Sequence, residues 1–288
     1  MSKVCVIGGS GFLGSHLADQ LTDMNYDVTL FDIKKSQWLK KSQKMVIGDI
    51  TNFDELKDAL KDCDVVYNYA GLSNLDEALS KPISTVKLNI LANVYVLEAS
   101  RINNIKRFVY ASSQYVNSRE GSFYRCSKIA SEAYIEEYKK HFDFTILRFG
   151  SLYGPRSGPD NGVYRIIRDA IKFNKISYQG NINSIREYIH IYDAAKSSIE
   201  ILSKEFINKT IVLTGQQSHR VYEVLNMLGE IMGIEDDIEF RNEENLGHYI
   251  RTPYSYKPLV GRKYTPKTHI DLGQGMLDLV YELKNLTK

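Results

Sequence analysis

A glycine-rich turn close to the amino terminus limits the folds open to this chain. It follows the short apolar run Val4–Ile7 and precedes an amphipathic stretch. Its glycines, three residues apart, are Gly8, Gly11 and Gly14. Between a strand and a helix, such glycines permit a tight turn, let backbone N–H groups approach a pyrophosphate, and allow close helix packing. The helix amino terminus adds partial positive charge. The turn therefore predicts a dinucleotide-binding βαβ unit.

Two aspartates follow the next predicted strands. Asp32 comes 18 residues (32 − 14) after Gly14, near the spacing of about 20 typical of a ribose-binding acid. Its carboxylate can accept hydrogen bonds from both ribose hydroxyls and repels a 2′-phosphate, which favours NAD over NADP. Asp49 is placed to reach the adenine, or else is a solvated turn residue.

Strand and helix patterns alternate through the first half of the chain. The predicted strands are Val4–Ile7, Val28–Asp32, Lys44–Ile47, Val65–Tyr69, Arg107–Ser112 and Phe144–Phe149. The stretches with helical spacing are Gly11–Met24, Phe53–Lys61, Ile83–Asn104 and Tyr124–His141. This alternation predicts an α/β fold with a doubly wound parallel sheet of the Rossmann type.

The pattern changes after Phe149. Residues 150–162 predict a loop, because they hold glycines and two prolines, and residues 243–264 are irregular. Later predicted elements are the strands Tyr188–Ile191 and Thr210–Leu213 and the helices Asp193–Ser203, Val221–Met232 and Gly275–Leu286. We expect an NAD-binding domain from residues 1–152 plus about 186–213. A smaller carboxyl-terminal substrate-binding lobe would take about 153–185 plus 214–288.

Composition excludes several classes of protein. The 37 Lys and Arg residues against 35 Asp and Glu give a net charge of +2, which argues against bulk attraction to nucleic acid. No apolar run approaches the roughly 18 residues of a membrane span. The three cysteines lack metal-ligand spacing and favour a reduced, cytoplasmic protein. We expect no metal. The basic, aromatic segment 241–267 could bind nucleic acid or be a solvated loop, and the resemblance described below favours instead its closure over a nucleotide diphosphate.

A tyrosine and a lysine at helical spacing predict proton-transfer chemistry. Tyr124 and Lys128 stand at i and i+4, on one helix face. Ser113, favoured over Ser112 as the catalytic hydroxyl, lies eleven residues upstream (124 − 113) at the end of a strand. For tyrosine to act as a base near neutral pH, its pKa must fall by about three, or roughly 4 kcal/mol. A lysine ammonium and an oxidised nicotinamide ring can stabilise the phenolate, while Ser113 orients the substrate oxygen.

Together these segments resemble the extended short-chain dehydrogenase/reductase family, in its nucleotide-sugar epimerase/dehydratase branch. The likeness covers nearly the whole chain. Its matching segments are Gly8–His16, Tyr69–Gly71, Asn89 with Leu97–Ala99, Phe108–Ser113, Arg148–Arg156 and Arg186–Ala195. The resemblance implies a dimer formed through the predicted helices Ile83–Asn104 and Tyr124–His141.

The resemblance also assigns binding residues. Implied cofactor contacts are Gly8, Gly11, Phe12, Leu13, Gly14, Asp32, Asp49, Ile50, Tyr69, Ala70, Gly71, Asn89, Tyr124 and Lys128. Implied substrate contacts are Ser73, Ser151, Tyr178, Arg186 and Arg251. A guanidinium at Arg186 suits diphosphate oxygens, although a surface ion pair with Glu187 is the alternative.

Three departures from the family pattern bear on the substrate. Gln114 and Tyr115 replace the acid pair that follows the catalytic hydroxyl in dehydratases, so a 4,6-dehydratase is disfavoured. The segment between Ser113 and Tyr124 is short, which cuts back one wall of the pocket. Ser151 replaces an asparagine common in the family.

The sequence therefore predicts NAD-dependent oxidation of a ring hydroxyl, at C4, of a nucleotide-activated sugar. The enzyme would be a 4-epimerase or a 4-dehydrogenase, and the residues do not choose between them. An NADPH-dependent 4-keto-sugar reductase is a second possibility. A non-catalytic NAD-binding sensor or scaffold is a third.

We expect the purified protein to bind NAD in preference to NADP, because Asp32 repels a 2′-phosphate. The ultraviolet spectrum and mass of the protein would detect tightly bound NADH, and titration with both cofactors would compare their affinities. An apoprotein that prefers NADPH would contradict this expectation.

Overall fold

A parallel sheet forms the centre of the molecule. The computed structural model describes residues 2–235, 237–241, 248–250, 262–264, 266 and 268–286. Among these, the sheet strands are β1 Lys3–Ile7, β2 Asp27–Asp32, β3 Lys44–Ile47, β4 Val65–Asn68, β5 Arg107–Ser113, β6 Asp143–Phe149, β10 Lys209–Leu213 and β13 Arg262–Lys263. Their order across the sheet is β13-β10-β6-β5-β4-β1-β2-β3, and each adjacent pair is parallel. The predicted doubly wound α/β fold is confirmed.

Helices cover both faces of this sheet. The helices of the described residues are α1 Phe12–Asp23, α2 Phe53–Ala59, α3 Leu75–Ser80, α4 Pro82–Thr85, α5 Ala92–Ile102, α6 Ser122–Glu137, α7 Gly162–Phe173, α8 Ile191–Glu200, α9 Val221–Met232 and α10 Leu272–Leu286. Alternate residues of β1 enter opposite cores, with Val4 and Val6 against α1 and α8. Cys5 and Ile7 pack toward α2, α5 and α6. No helix in the described part of the chain is long and apolar enough to cross a membrane.

A second, smaller core lies beside the sheet. Apolar side chains of α7, α9 and α10 form it, including Ile167, Leu225 and Leu279. Short strands border it: β7 Ser151–Tyr153, β8 Ile176–Gln179, β9 Ile185–His190, β11 Ser218–Arg220 and β12 Ile238–Arg241. Strand β9 pairs with β7 and β11, and β8 pairs with β12. The domain boundaries stay a prediction. Strand β13 lies in the sequence range assigned to the smaller lobe, but it forms an edge of the large sheet.

Several elements differ from the sequence predictions. The single helix expected over 83–104 consists of α4, a π-helical turn over Val86–Leu91, and α5. The segment expected as a loop contains β7, because its backbone pairs with β9. The segment expected to be irregular ends in β13. Helix α7 was not predicted, although its apolar residues have helical spacing. Helix α3 and strands β8, β11 and β12 were not predicted either, since these segments are short.

A buried ion pair joins the sheet to α6. Arg148 on β6 and Glu132 on α6 are 1% and 4% exposed. The guanidinium makes two contacts with the carboxylate, of 2.6 Å from Nη2 and 3.0 Å from Nε. Ser112 on β5 donates to the same carboxylate. One carboxylate therefore connects α6 with two adjacent strands, directly below the carboxyl edge of the sheet.

We expect Arg148→Ala to lower the free energy of unfolding by about 3–5 kcal/mol, because it leaves Glu132 buried without its cation. Urea unfolding measures the loss. Lys81→Gln, which breaks an exposed pair with Glu77, serves as the control and should cost roughly 0–1 kcal/mol. Equal effects of the two substitutions would contradict the assigned role of the buried pair.

Candidate active site

A cavity of about 1420 Å³ lies along the carboxyl edge of the sheet. It begins where the strand order reverses, between β1 and β4. In open α/β sheets, ligands bind at such a switch point. The cavity continues past β5 to residues of the smaller core. It exceeds the roughly 300–1,000 Å³ of a single small-molecule site and has room for two adjoining ligands.

Most of the residues predicted from sequence line this cavity. They are Gly8, Gly11, Phe12, Leu13, Gly14, Asp32, Asp49, Ile50, Tyr69, Ala70, Gly71, Ser73, Ser113, Tyr124, Lys128, Ser151, Tyr178 and Arg186. Asn89 is not among the lining residues, and Arg251 lies outside the described residues. The shared cavity brings the glycine turn, the proton-transfer residues and the implied substrate contacts together.

The glycine turn packs too closely for any side chain. A Cβ on Gly14 would lie 2.1 Å from the carbonyl oxygen of Gly8. Gly8 has a φ of +81°, and its Cβ would meet the backbone of Ala70 at 2.7 Å. No side chain caps the α1 amino terminus, and no acidic residue occupies its first turn. Its free N–H groups thus remain available to an anion.

Two fixed carboxylates line the same end of the cavity. Asp32 accepts the backbone N–H of Ser10 at 3.0 Å and that of Lys34 at 3.3 Å, which holds it beside the turn. Asp49 accepts both the N–H and the hydroxyl of Thr51, and these bonds lower the pKa of Asp49. Its contact with adenine stays a prediction. The described residues contain no cluster of three or more His, Cys, Asp or Glu suited to a metal ion.

The proton-transfer residues meet at the end of β5. Ser113 and Tyr124 both line the cavity there, and the nearby Ser113 hydroxyl acts to lower the pKa of the Tyr124 phenol. Ser113 Oγ accepts the backbone N–H of Tyr115 at 3.3 Å, so its own proton remains free for Tyr124 or a substrate oxygen. The hydroxyl of Ser112 is committed to Glu132. This geometry favours Ser113 over Ser112, as predicted.

Lys128 lies beneath Tyr124. Its ammonium donates to the carbonyl of Ala111 at 2.8 Å and to the hydroxyl of Tyr110 at 3.3 Å. It sits 5.7 Å from the centre of the Tyr124 ring. Burial lowers the pKa of Lys128 to about 8, while the Glu132 carboxylate opposes this fall. The charge on Glu132 therefore helps to keep Lys128 protonated near neutral pH.

Burial shifts the pKa of Tyr124 in the direction opposite to the one that base catalysis needs. It raises the pKa of Tyr124 to about 12, and the nearby Ser113 hydroxyl offsets only part of that rise. From the sequence we expect Lys128 together with an oxidised nicotinamide ring to stabilise the phenolate. Desolvation is the largest influence on the pKa of the phenol, and it acts in the opposite direction. Base catalysis by Tyr124 requires further positive charge beside the ring.

Asn89 occupies a supporting position behind the cavity. Its side chain accepts the N–H of Leu72 and donates to the carbonyl of Leu72 and the hydroxyl of Ser127. It is 2% exposed. The π-helical turn thus uses Asn89 to tie the loop after β4 to α6. A direct cofactor contact of Asn89 stays a prediction.

The far end of the cavity is basic and aromatic. The guanidinium of Arg186 lies over the ring of Tyr249, 4.4 Å from its centre. Glu187, considered from sequence as an ion-pair partner of Arg186, instead contacts Lys263 at 3.5 Å. Burial raises the pKa of Tyr249, and Arg186 and the nearby Ser151 act against that rise. Arg186 therefore presents a cation to the cavity on a rigid aromatic support.

Many lining residues were not predicted as site residues, and two of them with polar side chains are Tyr115 and His248. Tyr115 had one signal, its position two residues after Ser113. His248 lies in the segment 241–267, which was predicted to close over the substrate, but nothing in the sequence distinguished this histidine within that segment. The role of Glu132 was also missed, although its i+4 spacing from Lys128 was visible in the sequence.

Comparison with known proteins identifies a family model that matches this chain. The NAD dependent epimerase/dehydratase family model matches residues 4–213, from β1 to the end of β10. A protein of Methanocaldococcus jannaschii described as a putative UDP-glucose 4-epimerase is 27% identical. The match covers 98% of this chain and 98% of that protein.

Solved structures share the fold over the whole chain. A UDP-glucose 4-epimerase of Thermotoga maritima with UDP-glucose has a TM-score of 0.87 at 21% identity, covering 99% of this chain and 100% of that one. A UDP-glucuronic acid 4-epimerase of Bacillus cereus with UDP-glucuronic acid and NAD has a TM-score of 0.86. It is 24% identical, with 99% of each chain covered.

The low pKa of Lys128 predicts how stability depends on pH. Between pH 8 and 10.5 the folded protein loses this proton while the unfolded chain retains it. The unfolded state then binds more protons, so stability rises with pH. Relative to Lys128→Met, the free energy of unfolding of the wild type should rise by up to about 3 kcal/mol across this pH range. Urea unfolding of both proteins at pH 7 to 10 measures the difference, and a difference independent of pH would contradict the assignment.

Proposed function

Because the chain belongs to the NAD-dependent epimerase/dehydratase family, we propose that it is a nucleotide-sugar 4-epimerase. The observation that carries the proposal is the meeting of Ser113, Tyr124 and Lys128 in the same cavity as the glycine turn. The coverage of a putative UDP-glucose 4-epimerase over 98% of both chains supports the reaction.

The residues at one end of the cavity fit NAD. The contact between Gly14 and Gly8 leaves a cradle that any Cβ would fill, and the free N–H groups of α1 point toward it. Asp32 is fixed at the edge where a ribose would lie. NAD held by the glycine turn and Asp32 would supply the hydride acceptor and, in its oxidised form, a positive charge.

Side chains of the protein take up and return the proton of the substrate hydroxyl. Ser113 holds the substrate oxygen and Tyr124 takes its proton. The Lys128 ammonium, kept charged by Glu132, favours the resulting phenolate. The same phenol returns the proton when the ketone is reduced, so epimerisation needs no net proton exchange with solvent. Arg186 is available for the substrate diphosphate.

Two other functions are less well supported. A reductase that uses NADPH would place a 2′-phosphate beside the Asp32 carboxylate, which repels it. A non-catalytic NAD-binding protein would not need the arrangement of Ser113, Tyr124 and Lys128. A 4-dehydrogenase uses the same groups and differs in releasing the ketone.

We also propose a homodimer, acting in cytoplasmic carbohydrate biosynthesis. Large apolar side chains are exposed on the two helical segments through which the resemblance implies a dimer. Ile83 is 83% exposed, Val86 53% and Tyr134 47%. Three free cysteines suit a reducing compartment.

Tyr124→Phe should lower kcat at least about a hundredfold, because the proton acceptor is lost, with little change in the affinity for NAD. The assay incubates the protein with NAD and UDP-glucose, UDP-glucuronic acid or UDP-N-acetylglucosamine and identifies products. A C4 epimer supports the proposal, whereas an accumulating 4-ketone indicates a dehydrogenase. Tyr281→Phe, on the exposed face of α10, is the control. Full turnover by Tyr124→Phe would refute the assigned base.

A further inference from the structure

Two tyrosines form a wall between the proton-transfer residues and Arg186. The ring of Tyr115 lies edge-on to that of Tyr124, with centres 6.2 Å apart. On its other side, the centre of the Tyr115 ring lies 4.7 Å from that of the Tyr249 ring, which packs against the guanidinium of Arg186. A substrate with one hydroxyl at Tyr124 and its phosphates at Arg186 must therefore lay its sugar along this wall.

The wall is anchored rather than loosely placed. The backbone N–H of Ile185 donates to the carbonyl of Ile250 at 2.7 Å, which fixes the segment 248–250 beside β9. Tyr249 is 5% exposed. Tyr115 is held from the other direction by the bond of its N–H to Ser113.

The hydroxyl of Tyr115 has a defined partner, since Oη lies 3.2 Å from Nδ1 of His248. The other ring nitrogen, Nε2, faces the carboxylate of Asp76 at 3.9 Å. A carboxylate only accepts, so it favours the tautomer with the proton on Nε2. Burial lowers the pKa of His248, with Arg186 and Arg165 acting in the same direction against Asp76.

In that neutral tautomer, Nδ1 accepts the hydroxyl proton of Tyr115. Burial also raises the pKa of Tyr115, so the phenol does not ionise near neutral pH. With its one proton given to His248, Tyr115 Oη can only accept a further hydrogen bond. It therefore presents an oriented acceptor to the sugar.

We infer that Tyr115, oriented by His248 and Asp76, determines specificity by accepting a hydrogen bond from a sugar hydroxyl other than the reacting one. The inference rests on the proposed function and names the substrate class. These are nucleotide sugars that present a neutral donor to the wall. A sugar with a carboxylate or an ester at that position would place a second acceptor against the Tyr115 oxygen. Neither acceptor would then have a hydrogen-bond donor.

The test measures binding in the Tyr124→Phe background, where turnover does not interfere. Calorimetry of the NAD-loaded protein compares UDP-glucose with its 2-, 3- and 6-deoxyfluoro analogues, because fluorine cannot donate a hydrogen bond. Adding Tyr115→Phe should weaken UDP-glucose binding roughly three- to tenfold. One of the three analogues has fluorine in place of the hydroxyl that donates to Tyr115. Tyr115→Phe should not change the affinity for that analogue.

His248 variants test the orientation of the phenol. His248→Asn keeps an acceptor near Nδ1 and should preserve the discrimination between hydroxyl and fluorine. His248→Leu frees the phenol proton and should reduce that discrimination, an effect that loss of packing alone would not produce. UDP alone, which has no sugar, should bind equally to all variants, and Tyr281→Phe should change nothing.

The possible failures are distinguishable. If UDP-glucose binds and Tyr115→Phe weakens all four ligands equally or not at all, this inference is overturned while the proposed function stands. If neither UDP nor any UDP-sugar binds to the NAD-loaded protein, the proposed function itself fails and the inference with it.

Discussion

The close contact between Gly14 and Gly8 determines where everything else in the site can lie. It brings the start of α1 onto the end of β1, while Gly8 packs against the backbone after β4. These contacts form the floor of the cavity at the switch point of the sheet. Because all strands of this sheet run in parallel, the carboxyl ends of β2 and β5 reach the same edge. Asp32, the last residue of β2, and Ser113, the last residue of β5, therefore line the same cavity.

A buried set of charges supports the chemistry from below. Lys128, Glu132 and Arg148 follow one another from the cavity into the core, and Ser112 completes the set. A buried ammonium tends to lose its proton, and the Glu132 carboxylate counteracts this. Glu132 is in turn neutralised by Arg148, which avoids the cost of an isolated buried carboxylate. The arrangement holds a cation near Tyr124 and keeps the Ser112 hydroxyl bonded to Glu132.

Sequence patterns predicted the large sheet well because its signals are local. Each strand such as β1 or β4 is a short apolar run, and α1 and α6 show helical spacing over three or more turns. The interruption of the helix around Asn89 was not predicted, because the π-helical turn is selected by tertiary bonds to Leu72 and Ser127. Strand β7 was missed for a related reason, because its stability comes from pairing with β9. Helix α7 was missed although its apolar residues, which pack against α9 and α10, stand at helical spacing in the sequence: Val163, Ile166, Ile167, Ala170 and Ile171.

The sequence by itself determined the glycine turn, the acid at Asp32 and the spacing of Tyr124 and Lys128, because each depends on the period of a helix or strand. It could not reveal the raised pKa of Tyr124, since desolvation depends on what surrounds the ring. Nor could it bring His248 to Tyr115 across 133 residues of chain. Those features belong to the tertiary structure, which decides how deeply a group is buried and which distant side chain shares its proton.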